Sequence, residues 1–227
     1  MWLYASLLLG SIAIPLALSF DRKLQFYKQW KYLMPSIGIV AIVYILWDIY
    51  LTKLGVWGFN PQYHSNILLF KLPIEEWMFF IVIPYASIFL HDSLVLYFPK
   101  LTLGGKTAKA LTAVLIISLI AIILFNVEKI YTVYIFSFLA IALFLSLFDK
   151  TAAINSFFVS FLIILIPFIV VNALLTGTFI EGEVVWYNNS ETLGIRFLTI
   201  PIEDFGYAFS LILFSLLLRA KFKKIKQ

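Results

Sequence analysis

The sequence of 227 residues has no cysteine, two histidines and few charged residues. Without cysteine the chain has no disulfide framework and no thiol nucleophile, and two histidines argue against a multi-histidine metal centre. Charged residues make up 13% of the chain, whereas a soluble domain carries about 25%. Apolar residues make up 63%, and the mean hydropathy is +0.99. A chain with so little polar surface is predicted to be an integral membrane protein.

Two common motifs are also missing. The N-terminus has no basic segment ahead of its first apolar run, as a signal peptide has, so we interpret this run as the first membrane helix. No Gly-x-Gly-x-x-Gly fingerprint occurs, so we expect no bound flavin, nicotinamide or other cofactor. The net charge of +5 lies in short segments between apolar runs. This pattern indicates topology signals rather than a nucleic-acid partner.

Seven apolar segments approach or exceed the length of about 20 residues that a membrane span requires. We therefore predict an all-α membrane protein with seven transmembrane helices, in which the fourth helix is short and is joined to the fifth by a tight hairpin. The predicted spans are Met1–Phe20, Tyr32–Leu51, Leu72–Phe98, Ala110–Phe125, Ile130–Phe148, Ala153–Leu175 and Leu198–Leu218.

Lysine and arginine are unevenly distributed between the two ends of the predicted helices. Thirteen of the 17 lie in the C-terminal tail and in the loops after the first, third and fifth helices, and four lie on the opposite side. The positive-inside rule therefore predicts an outside N-terminus and a cytoplasmic C-terminus. We expect a multi-pass protein of the cell inner (plasma) membrane.

One five-residue motif occurs at the start of the third predicted helix and again at the start of the seventh. Pro73–Trp77 reads Pro-Ile-Glu-Glu-Trp, and Pro201–Phe205, 128 residues later, reads Pro-Ile-Glu-Asp-Phe. We therefore predict two copies of a three-helix unit, residues 1–109 and 130–227, within one membrane domain. A linker helix in residues 110–129 would restore the orientation that three spans reverse. This parallel 3+1+3 plan places both motifs at the outer membrane face.

Each motif has two adjacent carboxylic acids, which could simply stabilise the start of a helix. Two matched copies weaken that alternative, because capping requires no fixed order of proline, acid and aromatic residue. A seventh helix that begins at Leu198 would place Glu203 and Asp204 more than one turn inside the membrane, where carboxyl groups are usually functional. Neighbouring helical positions point about 100° apart. One acid of each pair can therefore face a central cleft while the other faces a neighbouring helix.

These acids predict one polar cleft near the outer ends of the helices. Asp48 lies near the outer end of the second helix, and Asn172 has a comparable place in the sixth. Burial and like-charge neighbours favour the protonated form of a carboxyl group, which is then a proton donor. The candidate catalytic residues are Asp48, Glu75, Glu76, Glu203 and Asp204. The candidate substrate-binding residues are Trp47, Trp77, Asn172, Phe205 and Tyr207, although an interfacial belt also explains exposed aromatic residues.

At these residues the sequence resembles the membrane-embedded carotenoid cyclases, the heterodimer-type lycopene cyclases, in their fused single-chain form. The hallmark of that family, Pro-x-Glu-(Glu/Asp), occurs at Pro73–Glu76 and at Pro201–Asp204. Gly55–Phe59 is similar to the first subunit of the family, and Val171–Gly177 is similar to the second. The resemblance spans most of the chain. The outer loop of the second half departs from the family pattern because it is notably acidic.

The resemblance implies a redox-neutral isomerisation that forms a β-ionone ring at the end of an acyclic carotenoid. A carboxylic acid protonates the terminal double bond, the neighbouring double bond attacks the cation, and loss of a proton completes the ring. We expect the repeated glutamates, Glu75 and Glu203, to be required for turnover. The expected partners are the carotenoid, the lipid bilayer and other enzymes of the carotenoid pathway.

A proton-coupled or facilitative small-molecule transporter is the main alternative, because 3+1+3 repeats with paired acids also suit a carrier. Against this alternative, Pro84 and Pro167 do not occupy matched positions in the two halves. A retinal protein would need a Schiff-base lysine, which Leu198–Leu218 lacks. A non-catalytic helper subunit is the remaining interpretation.

Overall fold

A computed structural model describes residues 2–225 and contains seven α-helices in this range. Five of them are long and apolar enough to cross a membrane, and the first and fifth are apolar but shorter, with 16 and 17 residues. The chain is therefore a helical membrane protein. The helices are α1 (Leu3–Leu18), α2 (Trp30–Lys53), α3 (Ile74–Tyr97), α4 (Gly105–Phe125), α5 (Ile130–Ser146), α6 (Ala153–Leu175) and α7 (Ile202–Ile225).

Two helices differ clearly from their predicted bounds. Helix α4 begins at Gly105 and has 21 residues, so the prediction of a short fourth helix is wrong. The lysines of its first turn are exposed and do not end the helix. Helix α7 begins at Ile202 rather than Leu198 and continues through the basic segment to Ile225. The depth argued for Glu203 and Asp204 is therefore wrong, because both acids lie in the first turn of α7.

The all-α prediction also misses six short strands, which form three two-stranded antiparallel sheets. Two of the sheets are hairpins directly before α3 and α7, and the third joins the two halves of the chain. The paired strands are β1 (Trp57–Phe59) with β4 (Val185–Tyr187), β2 (Leu68–Leu69) with β3 (Leu72–Pro73), and β5 (Arg196–Phe197) with β6 (Ile200–Pro201). Strands of two or three residues are too short to produce an alternating pattern in the sequence.

The two hairpins lead into their helices through the same hydrogen bonds. The backbone N–H of Ile74 donates to the carbonyl of Ile67 at 2.9 Å, and that of Ile202 donates to the carbonyl of Ile195 at 3.0 Å. Both donors and both acceptors are 128 residues apart, which is also the spacing of the two acidic motifs. The repeated sequence therefore has the same local backbone structure in both places.

Helices α3 and α7, which carry the acidic motifs, are the central helices of the bundle. Helix α1 packs against α3 and α5 against α7, whereas α2 packs on α7 and α6 on α3, across the two halves. At the end away from the acids, Arg219 of α7 forms two hydrogen bonds to Asp92 of α3, at 2.6 and 2.8 Å. This ion pair is the only one among residues 2–225, and it links the two central helices.

Gly58, at the centre of β1, lies opposite Trp186 of β4. A Cβ atom at this glycine would come within 3.0 Å of the Trp186 ring. We predict that Gly58→Ala forces the ring away and lowers the free energy of unfolding by about 1–3 kcal/mol, the usual cost of overpacking. Thermal denaturation of the purified protein in detergent measures this loss.

A double-mutant cycle tests the cause of the loss. If the Trp186 ring is responsible, Gly58→Ala has no further effect in a Trp186→Ala background. Gly38→Ala is the control, because no atom lies within 4 Å of the Cβ position there. An equal loss with and without the Trp186 ring would contradict the prediction.

Candidate active site

The four acids of the repeated motifs occupy the first turns of α3 and α7. Pro73 and Pro201 immediately precede these helices, at positions where the missing proline N–H costs no helical hydrogen bond. All four carboxylic acids are at most 5% exposed. Loops, strand β4 and the neighbouring helices α1 and α5 contact these acids, which lie in the first turns and not deep along their own helices.

The first acid of each pair binds the loop that precedes its hairpin. Oε1 of Glu75 accepts a hydrogen bond from the backbone N–H of Ser65 at 2.7 Å. Oε1 of Glu203 accepts from the N–H of Leu193 at 2.6 Å and from the hydroxyl of Thr132 at 2.7 Å. Ser65 and Leu193 are again 128 residues apart. Glu75 and Glu203 therefore hold equivalent loops in place.

The second acid of each pair accepts hydrogen bonds from tyrosine hydroxyl groups. Tyr4 of α1 donates to Oε2 of Glu76. Tyr131 of α5 donates to Oδ1 of Asp204 at 2.7 Å, and Tyr187 of β4 donates to Oδ2 at 2.9 Å. Glu76 thus accepts on one oxygen, whereas Asp204 accepts on both.

Asp48 of α2 is fully buried and bonded to the same group of residues. The hydroxyl of Tyr207 donates to both of its carboxyl oxygens at 3.2 Å. Tyr207 follows Asp204 by three residues on α7, so the two side chains lie on one face of that helix. Tyr207 therefore holds the acid of α2 against the face of α7 that carries Asp204.

Glu76 and Asp204 both line one narrow cavity of about 40 Å³. Most of the remaining wall is apolar or aromatic and comes from α3, α6 and α7. Phe79 on α3, together with Phe168 and Asn172 on α6, is only half-buried. The wall of the cavity is therefore least buried between α3 and α6.

Three aromatic rings lie together at the end of the cavity nearest the loops. The ring centroid of Trp57 is 6.2 Å from that of Tyr131 and 5.9 Å from that of Tyr187, and the two tyrosine rings are 5.4 Å apart. Burial, together with the neighbouring Asp204 carboxyl group, raises the pKa of Tyr187 well above its usual value. Tyr187 therefore remains a neutral hydrogen-bond donor at all physiological pH values.

The structure brings together part of the site that the sequence predicts. Glu76, Asp204, Asn172 and Tyr207 line the cavity, and Asp48 contacts Tyr207. The other five candidates do not line it. Glu75 and Glu203 bind loops. Trp47 is 39% exposed and lies beside Tyr134. Trp77 packs on Phe70, and Phe205 packs between Phe168 and Phe197.

The tyrosine donors Tyr4, Tyr131 and Tyr187 are not among the site residues predicted from the sequence. A signal for two of them does exist, since Tyr4 and Tyr131 are separated by nearly the same number of residues as the acids that they contact. In an aromatic-rich chain, however, single tyrosines are not distinctive. Which ones point at the acids depends on how α1 packs on α3 and α5 on α7.

Comparison with known proteins gives one family. A family model described as lycopene cyclase matches residues 1–94 and 128–222, which together form most of the chain. The segment between the two matched parts contains α4. No curated protein and no solved structure matches the chain.

The loop contacts of Glu203 predict a difference between two substitutions. Glu203→Leu would leave the N–H of Leu193 and the hydroxyl of Thr132 without their acceptor, at a cost of about 1–3 kcal/mol in the free energy of unfolding. Glu203→Gln keeps a carbonyl oxygen as acceptor, so we expect stability close to that of the wild type. Thermal denaturation in detergent compares the two variants, and equal stability of both would contradict the anchoring role.

Proposed function

We propose that this chain, which belongs to the lycopene cyclase family, is a carotenoid ring-forming isomerase of the lycopene β-cyclase type. Family membership supports an enzyme of carotenoid cyclisation and gives no support to the transporter alternative. The observation that carries the proposal is the pairing of Glu76 and Asp204, one from each motif, in the wall of a mostly apolar cavity. A hydrocarbon and a proton donor can meet there.

In this proposal Glu76 is the proton donor. Its Oε2 accepts the hydroxyl of Tyr4, and its Oε1 accepts no hydrogen bond from any described residue, so that oxygen is available to carry a proton toward the substrate. Both oxygens of Asp204 are already bound by tyrosine hydroxyls. Asp204 is therefore better suited to stabilise positive charge and to receive the proton that leaves.

The reaction would conserve all atoms and electrons. The proton from Glu76 adds to the terminal double bond of an acyclic carotenoid end and leaves a cation on the neighbouring carbon. A nearby double bond attacks this cation, which forms the ring-closing carbon–carbon bond and moves the charge into the ring. Loss of an adjacent proton to a base then forms the ring double bond. No oxidant or reductant is consumed.

The aromatic wall supports the cationic steps. An aromatic ring face within about 6 Å attracts a cation by about 0.5–2 kcal/mol, and more where water is excluded. Trp57, Tyr131, Tyr187 and Tyr207 all line the cavity that holds the two acids. The loops and hairpins above the helix starts would keep water from capturing the cation before the ring closes.

The half-buried wall of the cavity between α3 and α6 is the proposed access route for the substrate. A linear carotenoid is about as long as the hydrocarbon core is thick, so it can lie beside the bundle with one end at the helix starts. The narrow cavity would admit that end only when half-buried side chains of this wall, such as Phe79 and Phe168, move aside. Because substrate and product both remain in the bilayer, contact with other enzymes of the pathway would aid their transfer.

We also propose the parallel 3+1+3 plan, with residues 1–109 and 130–227 as its repeats and the outer membrane face as the location of the acids. Its support is the shared spacing of 128 residues in the hairpin, loop and acid contacts. The position of α4 between the two matched segments agrees with a linker helix. The positive-inside distribution of lysine and arginine supports a cytoplasmic C-terminus. The plasma membrane is the proposed location.

Substitution of neighbouring acids tests the catalytic assignment. Glu76→Gln keeps the shape and an acceptor for Tyr4 but removes the transferable proton, so we expect turnover to fall by about 10²–10⁴-fold. Glu75→Gln, the same change one residue earlier and outside the cavity, is the matched control and should stay within about tenfold of the wild type. Cyclic carotenoid formed in a lycopene-accumulating host, corrected for the amount of protein, is the measurement.

This expectation replaces the one based on sequence, in which Glu75 and Glu203 were to be required. If cyclisation survives Glu76→Gln but is lost in Glu75→Gln, with normal protein levels, the catalytic role belongs to Glu75 and not to Glu76. If neither variant loses activity, the acids of the α3 motif take no part in the chemistry.

A further inference from the structure

A second and larger cavity lies toward the other end of the bundle. It has a volume of about 590 Å³ and runs between α2 and α5, over α7. Its end nearer the acids is closed by Tyr44 and Phe138, whose ring centroids are 5.3 Å apart. Phe214 and Leu218 of α7 line it further along. These side chains make it an apolar groove that is closed at one end, and we call it the α2–α5 groove.

The open end of the α2–α5 groove is basic. Lys150, Lys221 and Lys224 line it there, together with Asp149. Asp149 is already hydrogen-bonded at the start of α6. Its carboxyl oxygens accept two hydrogen bonds from Thr151 and one from the N–H of Ala153. The only ion pair in the described part of the chain is elsewhere, so these lysines have no carboxylate partner in it.

We propose that the α2–α5 groove binds one anionic phospholipid, with an acyl chain between α2 and α5 and the phosphate at the three lysines. Along α7 the groove extends from Phe214 to Lys224, which is about 15 Å at the rise of an α-helix. This length is about half the hydrocarbon thickness of a bilayer, and hence the depth of one leaflet. Basic pockets between membrane helices bind anionic headgroups in other proteins.

The charge distinguishes this occupant from the carotenoid. A carotenoid hydrocarbon has no group that three lysines would attract, whereas a phosphodiester has one negative charge. A zwitterionic lipid carries its own cation next to the phosphate, which reduces that attraction. The proposal therefore requires selectivity for lipids of net negative charge, and it does not rest on the proposed cyclase activity.

The experiment uses the full chain purified in detergent, with phosphatidylglycerol and phosphatidylcholine of identical acyl chains added in equal amounts. Native mass spectrometry counts the lipids retained by the wild type and by two double variants. The groove variant, Lys221→Gln/Lys224→Gln, removes two of the three lysine charges that line the groove. Lys106→Gln/Lys109→Gln removes two exposed lysines of α4, which line neither this groove nor the acid cavity, and is the matched control.

We expect the wild type to prefer phosphatidylglycerol by about tenfold or more, and the groove variant to lose most of that preference. The control should stay within about twofold of the wild type. A third variant, Val43→Trp, fills the groove without changing its charge and should also reduce lipid retention, since Val43 is an exposed part of the lining.

Three results would overturn the proposal. Equal retention of the two lipids would mean non-selective contact with the bilayer. An equal loss in the control variant would assign the preference to the basic membrane face as a whole. Displacement of the bound lipid by lycopene, or by inorganic phosphate alone, would identify a different ligand for the groove.

Discussion

Carboxyl groups buried among apolar helices must be supplied with hydrogen-bond donors, because a buried polar group without a partner costs about 1–3 kcal/mol and a buried charge costs more. Five such acids lie at one end of this bundle. Their donors come from α1, α5 and α7, from β4 and from the loops before two hairpins. These contacts tie the helices and the hairpin loops together at this end of the bundle.

The requirement also separates the two acids of each motif. Since neighbouring residues in a helix point in different directions, one acid of each pair turns to the loop and the other to the cavity. The loop acids bind backbone N–H groups and fix the covering structure, which excludes water from the cavity. The cavity acids bind only tyrosine hydroxyls, which leaves one oxygen of Glu76 free of any hydrogen bond from the described residues. One short motif thus provides both the cover of the site and its reactive group.

Much of this arrangement can be predicted from the sequence. Hydropathy predicts all seven helices, because runs of apolar residues are long and are separated by charged loops. The repeated motif predicts that acids from two helices share one site, but it does not predict which acid of each pair faces the cavity. That choice depends on the rotation of α3 and α7 against their neighbours. The bend at each hairpin, where Phe70 and Leu198 have positive φ angles, also has no glycine to mark it.

The same limit explains the aromatic candidates. Trp47, Trp77 and Phe205 are near the acids in the sequence. Each packs against another aromatic ring, and none of them lines the cavity. Tyr4 and Tyr131 are 72 and 73 residues away from the acids that they contact directly. Proximity along the chain is a weak guide here, because the site is assembled from several helices and a strand.

The central claim is that a carboxylic acid of the protein gives the proton that starts ring closure. The most direct test is to supply lycopene to the purified enzyme in lipid equilibrated with D₂O and to measure the mass of the cyclic product. An acid that exchanges with solvent delivers a deuteron, which stays on the carbon that it reached, so we expect about one added deuterium per ring. A cyclic product without deuterium would contradict the claim, because the hydrogen would then have moved within the substrate itself.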